Sequence, residues 1–249
     1  MLEILKRTTF GTVLLLLLPL TVWFSGWRWQ PSGESPLLKL LYWVTETVSA
    51  PWGILTSLLV AVWLLYCLRH RVDSLLKRML LLILLFSVVA TSLGIKSVMK
   101  EVVREPRPFV VWLSNNLAID QQQFYALPKQ QRSLLVKTEL QAHPLVPSWL
   151  TGHWQAETSF AFPSGHTVFA ACWALLSLLL LPGRHYKTIS VLMIWANGVM
   201  ASRLLLGMHW PRDLVASVII SGILVTFAYW IAQRWLLSAP GSAAKNRPR

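Results

Sequence analysis

Acidic residues are scarce in this chain, with ten Asp and Glu against 23 Lys and Arg in 249 residues, and charged residues make up only 13%. A soluble domain carries about 25% charged residues, so a water-surrounded globule is excluded as the main architecture. The shortage of carboxylates also argues against a two-metal centre, which needs several converging on one point. Only Glu101, Glu105, Glu157 and Asp213 lie near the polar clusters described below. Cysteine is limited to Cys67 and Cys172, both inside apolar runs and without the spacing of a metal site or a disulfide framework. They read as small buried hydrophobes. There is no G-x-x-x-x-G-K-S/T loop, so nucleotide-driven chemistry is unsupported. Nor does the net charge of +13 indicate nucleic acid, because no soluble module presents a basic face with interleaved aromatics.

What the chain has in abundance is apolar sequence, 55% of residues, in long runs. About 20 apolar residues cross a bilayer, and six segments qualify: Thr8–Trp27, Thr47–Leu68, Met79–Ile95, a stretch between Glu157 and Arg184, Thr188–Met208, and Leu214–Gln233. The expected fold is an all-α integral membrane protein with six transmembrane helices and an outer segment, about 96–160, between spans three and four. Within that segment 115–142 is expected to be partly helical, and no strand pattern is evident. The first run follows Lys6-Arg7 as a signal peptide would, but it is long for one and bulky where cleavage would occur, so it is read as a retained span. Residues 1–237 form one membrane domain in this reading, and 238–249, rich in Pro, Gly, Ala and Ser and basic, a disordered tail.

Lys and Arg concentrate in the short loops that lie inside when the N-terminus is inside, which sets the orientation and accounts for the positive charge. The first outer loop holds only Arg28 and Lys39 and is ringed by Trp23, Trp27, Trp29, Trp43 and Trp52, as an aromatic belt would be.

Three polar clusters interrupt the apolar pattern. Lys100 and Arg107 follow span three, and Pro106 and Pro108 restrict the backbone around Arg107. A planar guanidinium beside an ammonium suits a phosphate. Pro163-Ser164-Gly165-His166 opens span four, where unpaired N–H groups and the helix dipole favour an anion. His166 at that mouth is placed to protonate a leaving oxygen. Ser202-Arg203 closes span five, and His209-Trp210-Pro211-Arg212-Asp213 opens span six. Pro211 suits the first helical position, Asp213 the first turn. A carboxylate reaching back to one imidazole nitrogen would leave the other free to attack. Span parity alone puts all three clusters on the outer face. Three cations, a helix start and two histidines describe phosphoryl transfer by positioning and charge stabilisation. A head-group transferase with the same intermediate, and a lipid-binding or transport protein, are the alternatives.

Lys100-x6-Arg107-Pro108, Pro163-Ser164-Gly165-His166 and Ser202-Arg203-x5-His209-x3-Asp213 together resemble the three-part signature of the type 2 phosphatidic acid phosphatase (PAP2) family. That resemblance implies a six-span lipid phosphatase of the bacterial inner membrane, with both termini cytoplasmic and the site periplasmic. It implies that His209 is the nucleophile, His166 the acid and then base, and Asp213 the orienter of His209. Lys100, Arg107, Ser164, Gly165 and Arg203 would hold phosphate oxygens. It implies no metal or other cofactor, and substrates among phosphatidylglycerophosphate, phosphatidic acid and undecaprenyl pyrophosphate.

Overall fold

The computed structural model describes residues 1–117, 119–141 and 143–237, and over them it is helical without strands. The expected tail, 238–249, lies outside the described residues. In chain order the helices are α1 (Leu2–Phe24), α2 (Pro36–Glu46), α3 (Trp52–Leu68), α4 (Leu75–Val103), α5 (Pro108–Leu117), α6 (Gln121–Ala126), α7 (Lys129–Glu139), α8 (Ser148–Ala156), α9 (Gly165–Leu180), α10 (Tyr186–Leu205) and α11 (Pro211–Trp235).

Among the described residues, four stretches are long and apolar enough to cross a membrane: Leu2–Phe24, Leu75–Leu117, Gly183–Leu205 and Pro211–Trp235. The expected second and fourth spans fall on α3 and α9, which are shorter, at 17 and 16 residues. At 1.5 Å per residue each reaches only about 25 Å, against roughly 30 Å of bilayer hydrocarbon. Span three departs in the other direction. Expected to end at Ile95, it continues as α4 to Val103, so Lys96 and Lys100 share a helix face one turn apart. The first residues of the expected outer segment, from 96 to 103, are therefore a continuation of the same helix. Arg104 ends α4 in the left-handed conformation, with φ 49°, a common helix stop, and the prolines on either side of Arg107 hold the chain out of helix until α5.

Helix α9 is the axis of the bundle. It packs against α1, α3, α4, α10 and α11, and residues on every side of it are buried, from Thr167 and Val168 through Trp173 to Leu180. A helix apolar all round has no polar face to give to water, and burial is its stable solution. Around it, apolar side chains such as Val62, Ile83, Ile194 and Phe227 point outward and are exposed, a surface suited to lipid rather than to water.

The segment between α4 and α9 has a core of its own. Phe109, Leu113, Phe124, Val136, Leu150 and Trp154 pack there with Leu38 of α2 and with Leu206 and Met208. Helix α2, read from sequence as loop, lies against α10. Trp29, assigned to an aromatic belt, instead packs edge-on to Trp154 at 5.6 Å and donates from Nε1 to Leu205 O at 2.8 Å. Trp154 donates to Leu206 O at 2.8 Å, and Phe109 N donates to Gly207 O at 3.0 Å. Three successive carbonyls after α10 are thus pinned by the outer core, and His209 follows two residues later.

Gly207 turns this loop with φ +71°, and a Cβ there would stand 2.6 Å from the Trp29 ring. Gly207→Ala should lower stability by about 1–3 kcal/mol through backbone strain and overlap, read as a lower Tm in detergent. An unchanged Tm would show that the loop is not held this way.

Candidate phosphoryl-transfer site

His209 sits at the end of that pinned loop, just before Pro211 starts α11. Asp213 is the third residue of the helix. Its Oδ2 accepts from Trp210 N at 2.9 Å, which caps α11, and lies 3.1 Å from His209 Nδ1. The other ring nitrogen, Nε2, is 3.4 Å from Arg107 NH1. Arginine can only donate, so Nε2 presents its lone pair and Nδ1 carries the proton toward Asp213. Burial pushes the His209 pKa down, and Arg107, Arg203 and Lys100 push it further, well below the usual 6.5. The ring is therefore neutral, with one nitrogen oriented and the other available.

Arg107 is 1% exposed. Its Nε donates to Ser159 O at 2.7 Å and its NH1 to Met208 O at 3.1 Å, and Tyr125 OH accepts from its backbone N at 3.1 Å. Lys100, at the end of α4, donates from Nζ to Ser159 Oγ at 3.2 Å and to Phe160 O. The segment Ser159–Phe160 thus locks both cations from the outer side.

Ser164 caps α9: its Oγ accepts from Thr167 N at 3.3 Å and its own N donates to Ser217 Oγ at 2.9 Å. It is fully buried. With its hydroxyl committed to the cap and its N–H to Ser217, Gly165 is the one of the two that faces the cavity. His166 Nε2 lies 3.0 Å from Ser49 Oγ and 3.5 Å from Glu157 Oε1.

These side chains surround one cavity of about 1050 Å³, lined by Lys100, Arg107, Gly165, His166 and His209. Ser164, Arg203 and Asp213 stand behind its wall and are fully buried. Arg203 reaches the cavity through Glu157, whose Oε2 accepts from Arg203 NH2 at 2.8 Å and lies 3.3 Å from Arg107 NH2. Burial alone would raise the Glu157 pKa, but Arg203, His166 and Arg107 hold it well below the usual carboxylate range. The three sequence clusters, from four helix ends, therefore meet in space.

Four residues around the site were not singled out from sequence as part of it: Glu46, Ser49, His153 and Glu157. They sit in the first outer loop and in α8, where no spacing marks them. The one available signal was Glu157 itself, a rare acid close before a cationic site. Among the described residues, no three His, Cys, Asp or Glu side chains cluster to hold a metal ion.

Residues 80–236 match the PAP2 superfamily. The chain belongs to that superfamily. It is 50% identical over 246 residues, 98% of this chain and 96% of the relative, to phosphatidylglycerophosphatase B of Escherichia coli (strain K12), and equally to that of Shigella flexneri. It is 31% identical over 235 residues, 90% of this chain and 95% of the relative, to phosphatidylglycerophosphatase B of Haemophilus influenzae (strain ATCC 51907 / DSM 11121 / KW20 / Rd). The PAP2 match spans α4 to α11, and so contains all three polar clusters. Helix α2 and Ser49 precede it.

The protonation of His209 can be followed directly. With histidine 15N-labelled, its signals should keep the neutral, Nδ1-protonated pattern as pH falls to 6.5, because the charged form is disfavoured by burial and three cations. A titration midpoint at or above 6.5 would contradict the geometry.

Proposed function

We propose that this PAP2 protein is a membrane lipid phosphatase that works through a phosphohistidine. The observation that carries the reading is His209, whose Nδ1 faces Asp213 while Nε2 presents a lone pair beside Arg107 in a cavity. His209 Nε2 attacks phosphorus, and the bond from phosphorus to the ester oxygen breaks. His166 gives its proton to that oxygen, so the lipid leaves as an alcohol, or as a monophosphate when the substrate is a diphosphate. His166 then takes a proton from water, the resulting hydroxide attacks phosphorus, the P–N bond breaks, and inorganic phosphate leaves. Lys100, Arg107 and Gly165, which line the cavity, hold the non-bridging oxygens through the transition state, and Arg203 and Ser164, expected from sequence to share that role, support them from behind the wall.

The rest of the cavity supports a lipid substrate. Below the polar end its wall is made by Ile54 and Leu58 of α3, Phe86, Val89 and Leu93 of α4, and Phe169 of α9, a surface that fits hydrocarbon chains. The relatives' name, phosphatidylglycerophosphatase B, puts phosphatidylglycerophosphate first among substrates; phosphatidic acid and undecaprenyl pyrophosphate present the same terminal phosphate on an apolar tail. In this reading α1, α3, α4, α9, α10 and α11 are six spans of one domain, 1–237. The termini are cytoplasmic, and the site opens to the periplasmic face of a bacterial inner membrane. The short α9 begins at the site itself, which would place the chemistry below the membrane surface.

His209→Ala should lower turnover of phosphatidylglycerophosphate, phosphatidic acid and undecaprenyl pyrophosphate at least about a hundredfold, in the range an activated nucleophile contributes. Acid-sensitive, alkali-stable 32P should be trapped on wild-type protein and not on the variant. A His209→Ala protein retaining a tenth of the rate would sink the assignment, as would label trapped elsewhere.

The attacking form of His209 is unprotonated, and its pKa lies well below 6.5. Activity lost as pH falls should therefore be lost only below about pH 6.5. Turnover should also survive excess chelator, since fixed cations supply the charge; inhibition that added magnesium reverses would overturn that part of the mechanism.

A further inference from the structure

Two arms of close polar contacts leave one carboxylate, Glu46 at the end of α2, and reach opposite ends of the site. On one side, His153 Nδ1 lies 3.3 Å from Glu46 Oε1, and His153 Nε2 lies 3.0 Å from Arg203 NH1. Arg203 can only donate, so His153 Nε2 accepts and its proton must lie on Nδ1, toward Glu46. On the other side, Ser49 Oγ donates to Glu46 Oε1 at 3.3 Å and lies 3.0 Å from His166 Nε2. A serine hydroxyl has one proton. With that proton given to Glu46, Ser49 accepts, and His166 Nε2 must be the donor.

Both arms are built rather than incidental. His153 is 5% exposed, and Tyr42 of α2 packs edge-on to its ring at 5.5 Å. Arg203 is fully buried, and Thr45, the residue before Glu46, accepts from the same NH1 at 3.0 Å. Other charged groups also face these rings: Glu157 faces both His153 and His166, and Arg107 shares Glu157 with Arg203. None of them touches Ser49 or Glu46 in the bonds just described.

We propose that Glu46 is a positioning residue that orients Arg203, and with it the Glu157–Arg107 pair at the phosphate end of the cavity, through His153 and holds the Nε2 proton of His166 through Ser49. The proposal rests on the phosphatase reading above, and it adds α2, which lies outside the PAP2 match, to the working parts of the site. The two arms serve different events. One fixes Arg203, which holds Glu157 against the phosphate-binding Arg107; the other presents the proton that the leaving oxygen takes. Supports of this kind around metal-ligating histidines are worth roughly 10–100-fold, and that is the scale expected here.

The test separates the arms with probes that respond to only one. Inorganic phosphate binding by titration calorimetry on purified full-length protein reads the clamp without turnover. The ratio of kcat/KM for a short-chain phosphatidic acid to that for p-nitrophenyl phosphate reads the proton, because p-nitrophenolate leaves without one. His153→Ala should weaken phosphate binding about tenfold and change the ratio little. Ser49→Ala should lower the ratio about tenfold and weaken phosphate binding less than about twofold. Glu46→Ala should do both, and Glu46→Gln, whose amide oxygen still accepts from both arms, should recover most of each effect. Equal losses in every probe for all variants would mean a merely structural role and would overturn the proposal. So would an unaltered ratio in Ser49→Ala, or phosphate affinity unaltered in His153→Ala. His209→Ala runs alongside: a wild-type protein that binds phosphate but hydrolyses neither ester would remove the phosphatase reading and the Ser49 arm, while the calorimetry still decides the His153 arm.

Discussion

A guanidinium with no exposure to solvent, Arg203 at the end of α10, is the constraint around which the outer half of the molecule is arranged. An uncompensated buried charge costs several kcal/mol, and breaking such a pair is more damaging than never having built it. Arg203 therefore needs acceptors, and α10 itself cannot supply them, because the carbonyls of a helix interior are already taken. They come from two other elements: Thr45 at the end of α2, and His153 and Glu157 from α8 and its cap. Neither can reach Arg203 unless α2 lies along α10 and α8 is brought down over it. The separate core of Phe109, Leu113, Leu150 and Trp154 does that work. The outer segment is therefore no appendage; its packing satisfies a charge that the bundle alone would leave bare.

The same core reaches the second functional point. Trp29, Trp154 and Phe109 each donate to one of the carbonyls of Leu205, Leu206 and Gly207, so the short turn between α10 and α11 is tied to the neighbouring core at three successive residues. His209 inherits that anchoring, and Asp213, placed by the helix start at Pro211, completes it. Positioning of this kind suits the proposed reaction, because in phosphoryl transfer most of the rate comes from holding groups where charge develops. Bundle and cap divide the work: α4, α9 and α11 bring the charged ends together, and the outer core fixes their angles.

Much of this was legible in the sequence, and the failures share a cause. Apolar runs located every long helix, and span parity put Lys100, His166, Arg203 and His209 on one face. Helix ends were less readable, since Lys96 and Lys100 look like a boundary and are in fact the last turns of a 29-residue α4; the cavity gives their charges somewhere to go. Helix α2 was missed although Ser35-Pro36 marks a helix start, because eleven residues with tryptophans nearby read equally well as an interfacial loop. Trp29 was misplaced for the same reason: composition does not say whether a tryptophan near a membrane edge faces lipid or plugs a core. Glu46, Ser49, His153 and Glu157 carry no motif. They are selected by where three elements cross, and that crossing is a tertiary fact without local periodicity.

The two histidines of the cavity are distinguished by the direction of their hydrogen bonds. Each has Nε2 turned toward the site, yet their neighbours demand opposite behaviour. Nε2 of His209 faces Arg107, which can only give, so it must hold a lone pair. Nε2 of His166 faces Ser49, whose single proton goes to Glu46, so it must hold a hydrogen. In the proposed mechanism one ring is thus set to attack and the other to give a proton; Arg107 imposes the first, and Ser49 with Glu46 the second. Exchanging Arg107 for a residue that accepts as well as donates would remove the asymmetry while leaving both histidines in place. The acid and base roles therefore belong to the network and not to the histidines themselves.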